Sequence, residues 1–363
     1  MTGLSLGTEA RAGVPLSGYT TLRLGGPAAR FAAPATAEEI VAAIRAADRS
    51  GEPMLVLGGG SNLVIADAGF DGTVVRVGNR GSKIDCIRQG RIQLTVEAGE
   101  DWDCVVAETV AAGLGGLECL SGIPGLVGAT PVQNVGAYGV EVSQLLISVD
   151  LLDRASGEVR TLLAADLGLG YRTSVLKNSA RAVVLRVRFE LTDGGRSAPV
   201  RYTELARALG VRQGAQVPVA DARAAVLALR RGKGMVLDPT DHDTWSAGSF
   251  FTNPVISDAE LPAVLSRIAA RVGESTPVPR YPAGPGATKL SAAWLIERAG
   301  FHKGYPGPAA PVALSSKHTL ALTNRGTAST DDLLALAREI RDGVHAAFAV
   351  PLLPEPVLVG CAL

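Results

Sequence analysis

The 363-residue sequence is poor in the residues that mark metal centres and disulfide frameworks. It has 4 cysteines and 4 histidines, and neither set has the close spacing of a zinc site or a redox Cys-x-x-Cys motif. Cys86, Cys104, Cys119 and Cys361 are therefore interpreted as small apolar residues in a reducing compartment. These absences predict a protein without a bound metal and without disulfides.

Net charge and long apolar runs are also missing. The 35 basic residues balance 35 acidic ones, so the chain lacks the electrostatic footprint of a partner for nucleic acid or anionic membranes. The N-terminal stretch has no apolar signal-peptide core, and each apolar run is shorter than a membrane span. We expect a cytoplasmic protein with no membrane insertion and, since no coiled-coil pattern is present, a monomer.

Glycine and apolar residues are abundant instead. The chain has 43 glycines and a hydrophobic content of 47%, which is enough for sizeable cores in two or three domains. The spacing of apolar residues predicts a helix over 37–50, next to a buried strand and a glycine turn, as in a β-α-β unit. A second clear helix is predicted over 329–348 with Ser329 as its N-cap, and 277–288 is predicted to be a loop.

Two glycine-rich stretches are candidates for ligand contact. In "LGGGSNLV" (57–64), three consecutive glycine amides can converge on a phosphate beside Ser61 and Asn62, although an ordinary turn is an equal alternative. No P-loop Gly-Lys-Ser/Thr follows. The rigid, apolar stretch "CLSGIPGLVGATPVQNVGAYGVEV" (119–142) suits contact with a large flat ligand; the alternative is a structural crossover loop.

Isolated polar residues in apolar surroundings form a third group of candidates. Arg172, in "YRTSVLK", suits a carboxylate or the charge that develops on one, but a lone arginine is often a surface ion-pair residue. Glu355 lies between two prolines that restrict the backbone and would hold the carboxylate in place. The alternative is a tight exposed turn. Ser249, in "AGSFF", lacks the Gly-x-Ser-x-Gly pattern of a hydrolase nucleophile, and nothing in the sequence assigns His242 to it as a base.

Taken in order, these motifs resemble the bacterial UDP-N-acetylenolpyruvoylglucosamine reductases of peptidoglycan synthesis, the MurB family, and in particular its first type, which has a lid tyrosine. The matching stretches extend from end to end of the chain: "TTLRLGGPA" (20–28), "LGGGSNLV" (57–64), "SGIPGLVGATPVQNVGAYGVEV" (121–142), "YRTSVLK" (171–177), "AGSFFTNPV" (247–255), "KLSAAWLIERAG" (289–300), "HTLALTN" (318–324) and "PEPVLVG" (354–360).

The resemblance implies an α+β fold: an FAD-binding region of the vanillyl-alcohol-oxidase type in two subdomains, followed by a C-terminal α+β substrate-binding domain. The expected limits are 1–70 and 71–194 for the two subdomains and 195–353 for the substrate domain. The last strand, about 354–363, is expected to return to the flavin region.

The resemblance also implies non-covalent FAD, with NADPH and UDP-N-acetylglucosamine enolpyruvate as substrates. The implied FAD contacts are Leu57, Gly58, Gly59, Gly60, Ser61, Asn62, Ser121, Gly122, Ile123, Pro124, Gly128, Gln133, Asn134, Gly136, Ala137 and Tyr138. The implied substrate contacts are Tyr171, the lid residue Tyr202, Lys233 at the diphosphate, Gly248, and Asn253 at the uridine.

The implied catalytic residues are Arg172, Ser249 and Glu355. Arg172 and Glu355 would act at the substrate carboxylate, where negative charge develops, and Glu355 would have to be protonated to help. Ser249 would donate the proton to the α-carbon. Because a serine hydroxyl is a poor acid, a second group must assist it, and Lys233 or a water is a candidate.

The sequence departs from the family pattern at several positions. Thr173 and Leu176 stand where many members have Asp and Phe, Leu126 and Thr130 vary in the glycine-rich loop, and 236–248 is longer than expected. These changes affect the loop geometry and the lid contacts.

Two alternatives remain at this level. One is a flavin oxidase of the same fold, which often binds FAD covalently through His or Cys. No histidine precedes His242, but three cysteines do. The other is a non-catalytic binding protein on the same scaffold, against which the joint retention of the three implied catalytic residues argues.

Overall fold

The computed structural model describes residues 10–363. The helices are α1 Ala37–Ser50, α2 Trp102–Ala111, α3 Thr203–Ala208, α4 Val219–Gly232, α5 Leu261–Val272, α6 Ala292–Ala299 and α7 Thr330–Phe348. The strands are β1 Val14–Pro15, β2 Pro27–Ala32, β3 Met54–Leu57, β4 Leu63–Ile65, β5 Phe70–Arg76, β6 Ser82–Arg88, β7 Arg91–Glu97, β8 Gly136–Ala137, β9 Val140–Glu141, β10 Leu146–Asp153, β11 Glu158–Leu163, β12 Ala182–Thr192, β13 Val255–Ser257, β14 Arg280–Pro282, β15 Ala287–Leu290, β16 Val312–Leu314, β17 Leu322–Asn324 and β18 Val357–Val359.

The chain forms two compact units. Unit one contains Ala28–Gly60, Phe70–Val236 and the described residues before Pro15; unit two contains Pro15–Pro27, Ser61–Gly69 and Leu237–Leu363. Each unit has its own core of buried apolar side chains. No helix in the part of the chain that is described has the length and apolar character of a membrane span.

A parallel sheet in unit one contains the predicted β-α-β arrangement. Strands β2 and β3 both pair in parallel with β5, and α1 connects β2 to β3. The helix begins where the Thr36 hydroxyl accepts a hydrogen bond from the Glu39 amide, and it ends at Gly51 with a φ of 69°. Its buried face includes Ile40 and Ile44. The prediction of a helix over 37–50 is confirmed.

The second sheet of unit one is antiparallel, in the order β11-β10-β12-β7-β6. The second half of the central strand β12 alternates, because Val187 and Phe189 are buried in the core while Arg188 points to the other face. Arg188 binds both carboxylate oxygens of Asp150 on the neighbouring strand, each at 2.8 Å. An apolar face and an ion-paired face therefore fix the register of this sheet.

A buried carboxylate ties together two loops of unit one. Glu118 is completely buried, and its side chain accepts hydrogen bonds from the amides of Gly116 and Ala198, each at 2.6 Å. Glu118 and Ala198 are 80 residues apart along the chain, so the carboxylate joins two distant loops. Glu118 thus stabilises the segment that leads into the glycine-rich loop beginning at Ser121.

Replacing Glu118 by alanine is expected to lower the free energy of unfolding by about 2–4 kcal/mol, because a buried and a partly buried N–H group lose their acceptor. Glu118→Gln retains one acceptor oxygen, so we expect about half of that loss. Denaturant unfolding followed by circular dichroism measures both. Equal stability of Glu118→Ala and the unmodified chain would show that water replaces the carboxylate.

Unit two combines helices α5–α7 with three small sheets: β13-β15-β14, β16-β17 and β18-β4. The predicted helix α7 is confirmed, with a capping box between Ser329 and Asp332. Its first turn is also held by Asp67, whose carboxylate accepts hydrogen bonds from the amides of Thr330 and Asp331. The last strand β18 pairs in parallel with β4, so the chain terminus returns to an early segment within this unit.

One expectation differs from the structure. The range 277–288, predicted as a loop from its Pro and Gly content, contains β14 and the start of β15, whose pairing tolerates prolines at the sheet edge. The expected domain limits at 70, 194 and 353 stay predictions. Helix α4 packs into the core of unit one. Arg223 on α4 binds both oxygens of Asp103 on α2, at 2.6 and 2.9 Å.

Candidate active site

Two glycine-rich loops of unit one meet backbone to backbone. A Cβ at Gly59 would lie 2.7 Å from the Cα of Gly125, so no side chain fits between the loops at this point. Gly58, in contrast, has open space where its side chain would be, and Gly60 has a φ of 59°. The paired loops therefore present peptide groups rather than side chains, a surface that suits a phosphate or a flat ring system.

The remaining loop residues predicted to contact a cofactor divide into two groups. Leu57 and Ser121 are buried, and the Ser121 hydroxyl donates to the carbonyl of Glu118 at 2.6 Å, so its side chain has a structural bond. Those that are at least partly accessible are Ile123, Pro124, Gly128, Gln133, Gly136, Ala137 and Tyr138. Residues able to contact a ligand therefore occur in both halves of the stretch, and four of these seven lie in its second half.

Asn134 organises this second half from the inside. Its side-chain oxygen accepts from the Ser143 amide at 2.9 Å, and its side-chain nitrogen donates to Glu141 at 2.9 Å and to the carbonyl of Gly170 at 3.1 Å. Asn134 is buried and has a φ of 46°. Its side chain thus connects the glycine-rich loop to the turn that carries Tyr171 and Arg172.

Arg172 has a left-handed backbone with a φ of 53°, which is unfavourable for a residue other than glycine. Its guanidinium donates to the carbonyl of Gly136 at 3.2 Å, and its own carbonyl accepts from the ammonium of Lys177 at 2.8 Å. Tyr171 is about half exposed, and the Arg172 guanidinium lies 5.9 Å from the centre of its ring. The turn therefore holds Arg172 against the glycine-rich loop.

The predicted lid residue Tyr202 lies beside Tyr138 in unit one. Their ring centroids are 5.4 Å apart in an edge-to-face arrangement. Lys233 is bonded to Glu204 at 2.7 Å. Burial alone would lower the pKa of Lys233, but the Glu204 carboxylate raises it above its ordinary value, so the ammonium is charged at neutral pH. An aromatic pair and an ion pair thus lie at one site.

Arg230, one turn of chain before Lys233, is a cation that the motif analysis missed. Its Nε is buried without a hydrogen-bond partner among the described residues, while another nitrogen of the group donates to the carbonyl of Met235 at 2.8 Å. Burial lowers the pKa of Arg230, and the nearby Arg172 lowers it further. Two neighbouring cations with an unused donor favour an anionic ligand. The two consecutive arginines in "RRGKG" are the sequence feature that could have indicated this cation.

Unit two places Ser249 next to a well-anchored backbone. Gly248 has a φ of 74° and no atom near its missing side chain, so the turn needs glycine for its conformation and not for space. Phe250 and Phe251 are almost completely buried, and the Phe250 amide donates to the carbonyl of Leu320 at 2.7 Å. Phe250 and Phe251 therefore fix the backbone next to Ser249, whose hydroxyl is partly accessible.

Glu355 is joined to the same segment. Its amide donates to the carbonyl of Phe250 at 2.8 Å, and Phe251 forms a β-bridge with Pro354. On the other side, the side chain of Asn62 donates to the Glu355 carbonyl at 3.3 Å. The segments that carry Ser249 and Glu355 are therefore paired through their backbones, and the Thr252 amide adds a further bond to the carbonyl of Leu353 at 3.0 Å.

Asn62 and Asn253, predicted as ligand contacts, also have structural bonds. The Asn62 carbonyl accepts from the amide of Val357 at 2.9 Å, which sets the start of β18. The Asn253 side-chain oxygen accepts from the amide of Ala292 at the first turn of α6, at 2.9 Å. Ser61 lies beside Asn62 in unit two and is partly accessible.

The histidine near Ser249 is His318, which sequence reasoning did not assign to it. The Nε2 atom of His318 lies 3.5 Å from the Ser249 hydroxyl oxygen. His242, the nearest histidine along the chain, instead contacts Trp245 edge to face, with ring centroids 4.3 Å apart. A Ser–His contact also occurs in hydrolases, so these two residues alone do not define the chemistry.

Comparison with known proteins defines the class. Residues 28–163 match the family described as "FAD binding domain", and residues 238–359 match "UDP-N-acetylenolpyruvoylglucosamine reductase, C-terminal domain". The paired glycine loops of unit one fit a flavin nucleotide with its diphosphate. The chain is an FAD-dependent flavoenzyme, an oxidoreductase with FAD as its cofactor.

More specifically, the chain belongs to the UDP-N-acetylenolpyruvoylglucosamine reductase family. It is 70% identical to the reductase of Saccharopolyspora erythraea, over 98% of this chain and 98% of that protein. It is 56% identical to the reductase of Mycolicibacterium gilvum, over 100% of this chain and 99% of that one. The crystal structure of the Thermus caldophilus reductase (MurB) matches with a TM-score of 0.65 and 26% identity, covering 97% and 99% of the two chains. The resemblance and the fold class predicted from sequence are confirmed.

Proposed function

We propose that this chain catalyses the NADPH-dependent reduction of UDP-N-acetylglucosamine enolpyruvate to UDP-N-acetylmuramate. The observation that supports the proposal is the backbone hydrogen bond from the Glu355 amide to the Phe250 carbonyl at 2.8 Å, which joins the segment of Ser249 to the segment of Glu355 within unit two. The high identity to named reductases over the whole chain supports the same reaction.

FAD, which the glycine loops that contain Gly58, Gly59 and Gly136 would hold, would supply the hydride chemistry between NADPH and the β-carbon of the enolpyruvyl group. The protein must then stabilise the negative charge that develops at the α-carbon and the carboxylate, and protonate that carbon. Pre-positioned donors perform such tasks best, because they need no reorganisation during the reaction.

In this proposal Arg172 binds the substrate carboxylate and stabilises its growing charge. The left-handed backbone and the bond to Gly136 hold its guanidinium in place. Glu355 acts at the same carboxylate as a neutral acid that donates a hydrogen bond. Pairing of its backbone with Phe250 and Asn62 restrains the side chain.

Ser249 donates its hydroxyl proton to the α-carbon. The hydroxyl is partly accessible and follows a glycine that allows a ligand to approach closely. The buried rings of Phe250 and Phe251 anchor the segment, so the hydroxyl acts as an acid toward carbon and not as a nucleophile.

The remaining contacts concern the sugar nucleotide. We propose that Tyr202, with Tyr171 and Gly248, contacts the substrate, that Lys233 binds its diphosphate, and that the Asn253 amide nitrogen binds uridine. Burial alone would lower the pKa of Lys233, but the Glu204 carboxylate holds it above its ordinary value, so the ammonium is charged at neutral pH, which supports a role at an anionic group.

The purified protein is expected to oxidise NADPH rapidly only when UDP-N-acetylglucosamine enolpyruvate is present, with one NADPH consumed per product. Acid denaturation should release all the yellow colour from the polypeptide, because the FAD is non-covalent. NADPH absorbance and the colour of the precipitated protein measure these two results. Rapid NADPH oxidation that depends on O₂ and ignores the sugar nucleotide would contradict the proposal and indicate an oxidase.

We further propose that the protein acts as a monomer in the cytoplasm. The four cysteines are free, in keeping with a reducing compartment. Light scattering at working concentration tests the oligomeric state.

A further inference from the structure

The contact between Ser249 and His318 raises the question of how Ser249 is supplied with a proton. The two side chains come from positions 69 residues apart and approach to 3.5 Å between Oγ and Nε2. This is the outer limit of a hydrogen bond, and such contacts commonly shorten when substrate binds. Lys233, the sequence-based candidate for assisting Ser249, is engaged by Glu204 in unit one.

Backbone hydrogen bonds align the segment that carries Ser249 with the segment that carries His318. Within unit two, Phe250 donates to Leu320 at 2.7 Å, and Asn324 donates to Trp245 at 3.0 Å. Ser246 forms a β-bridge with Thr323 between these two contacts. The two segments therefore lie side by side over most of their length, and the Ser249–His318 contact is a product of this pairing.

A carboxylate clamps the turn before His318. Asp243 is buried, and it accepts hydrogen bonds from the Ser316 amide, the Ser316 hydroxyl and the Arg325 guanidinium. Burial alone would raise the pKa of Asp243, but the bonds from Ser316 and Arg325 lower it below the ordinary value, so the clamp is charged at neutral pH. The Ser315 hydroxyl also accepts from the His318 amide at 3.2 Å.

A serine hydroxyl that acts as an acid needs a second proton donor next to it. A hydroxyl that gives its proton to carbon becomes an alkoxide, which is unfavourable unless a second proton arrives in the same step. Imidazole is the side chain best suited to this, because it changes charge close to neutral pH. In the described part of the chain, His318 lies within reach of Ser249, whereas His242 contacts Trp245 edge to face.

We propose that His318 is the proton source behind Ser249, with Asp243 as a positioning residue for the turn that carries it. The inference rests on the proposed function and extends it. As the Ser249 O–H bond breaks and a C–H bond forms at the α-carbon, the Nε2–H bond of His318 breaks and the Ser249 O–H bond re-forms. The neutral imidazole regains its proton from solvent, so protons and charge balance over a turnover.

The test uses the full-length FAD-loaded protein and follows its two half-reactions separately by stopped-flow absorbance. In His318→Gln we expect the limiting rate of reoxidation by UDP-N-acetylglucosamine enolpyruvate to fall about 10–100-fold. The half-saturating substrate concentration should change less than about twofold, and flavin bleaching by NADPH should be unchanged. The matched control is His302→Gln, an exposed histidine of the same unit.

A second variant separates proton supply from a structural role. Added imidazole should restore a concentration-dependent part of the reoxidation rate in His318→Ala, because a free ring can replace the missing one. An unchanged reoxidation rate in His318→Gln would overturn the inference, and so would a change only in the half-saturating substrate concentration. A lack of rescue by imidazole in His318→Ala would overturn it as well. If Ser249→Ala itself reoxidises normally, the proposed role of Ser249 fails first, and the two failures are distinguishable.

Discussion

Replacing Ser249 by alanine is expected to slow reoxidation of the NADPH-reduced enzyme by the enolpyruvyl substrate by about 10²–10⁴-fold. The first half-reaction, bleaching of the flavin by NADPH, should keep its rate, because it requires no proton from this hydroxyl. The fold should also persist, since the buried rings of Phe250 and Phe251 anchor the segment. Stopped-flow absorbance of the flavin measures each half-reaction.

The control for this experiment is Thr252→Val, which removes a hydroxyl three residues further along the same segment. The Thr252 hydroxyl makes only a weak bond of 3.4 Å to the carbonyl of Leu353, so its loss should leave both half-reactions intact. If both half-reactions fall together in Ser249→Ala, Ser249 is a structural residue. If neither falls, another group protonates the α-carbon.

The second large effect concerns Glu355 and its protonation state. Glu355→Ala is expected to slow reoxidation by about 10²–10³-fold, the usual cost of losing one donor to a developing anion. Glu355→Gln should lose less than about tenfold, because a neutral amide can donate a hydrogen bond as a protonated carboxyl does. Comparison of the two rates therefore reports which form of the side chain is active.

A carboxylate acting as a base would give the opposite pattern, with Gln as damaging as Ala. Glu274→Gln is the matched control, because this exposed carboxyl of unit two lies in the turn after α5. Thermal unfolding of all three variants shows whether a lost rate reflects the site or the fold. Retained stability with a low rate in Glu355→Ala attributes the loss to the site.

Sequence alone predicted the elements whose patterns are strong and local. The limits of α1 were predicted to the residue from apolar spacing, and in the structure the Thr36 cap and Gly51 adjoin the same stretch. The capping of α7 by Ser329 is local in the same way. In contrast, β14 was missed, because a strand rich in proline is stabilised only by its pairing with β15, which no local pattern reveals.

The candidate site shows the same division. Glycine patterns pointed to the two loops of unit one, but the close approach of Gly59 to Gly125 depends on the fold. Arg230 and His318 were missed because no local sequence pattern marks them. The burial of the Arg230 Nε and the contact of His318 with Ser249, 69 positions away, arise only in the fold. The predicted roles of Arg172, Ser249 and Glu355 remain predictions that the proposed variants test.

The sequence by itself determined the family, the cofactor and the reaction class, because its motifs recur in order along the whole chain and need no coordinates to be compared. Only the tertiary structure decided which side chains meet. The pairing of Phe250 with Glu355, and of Ser249 with His318, depends on backbone hydrogen bonds between distant segments. Such long-range contacts follow from the packing of the complete unit, to which every buried residue contributes.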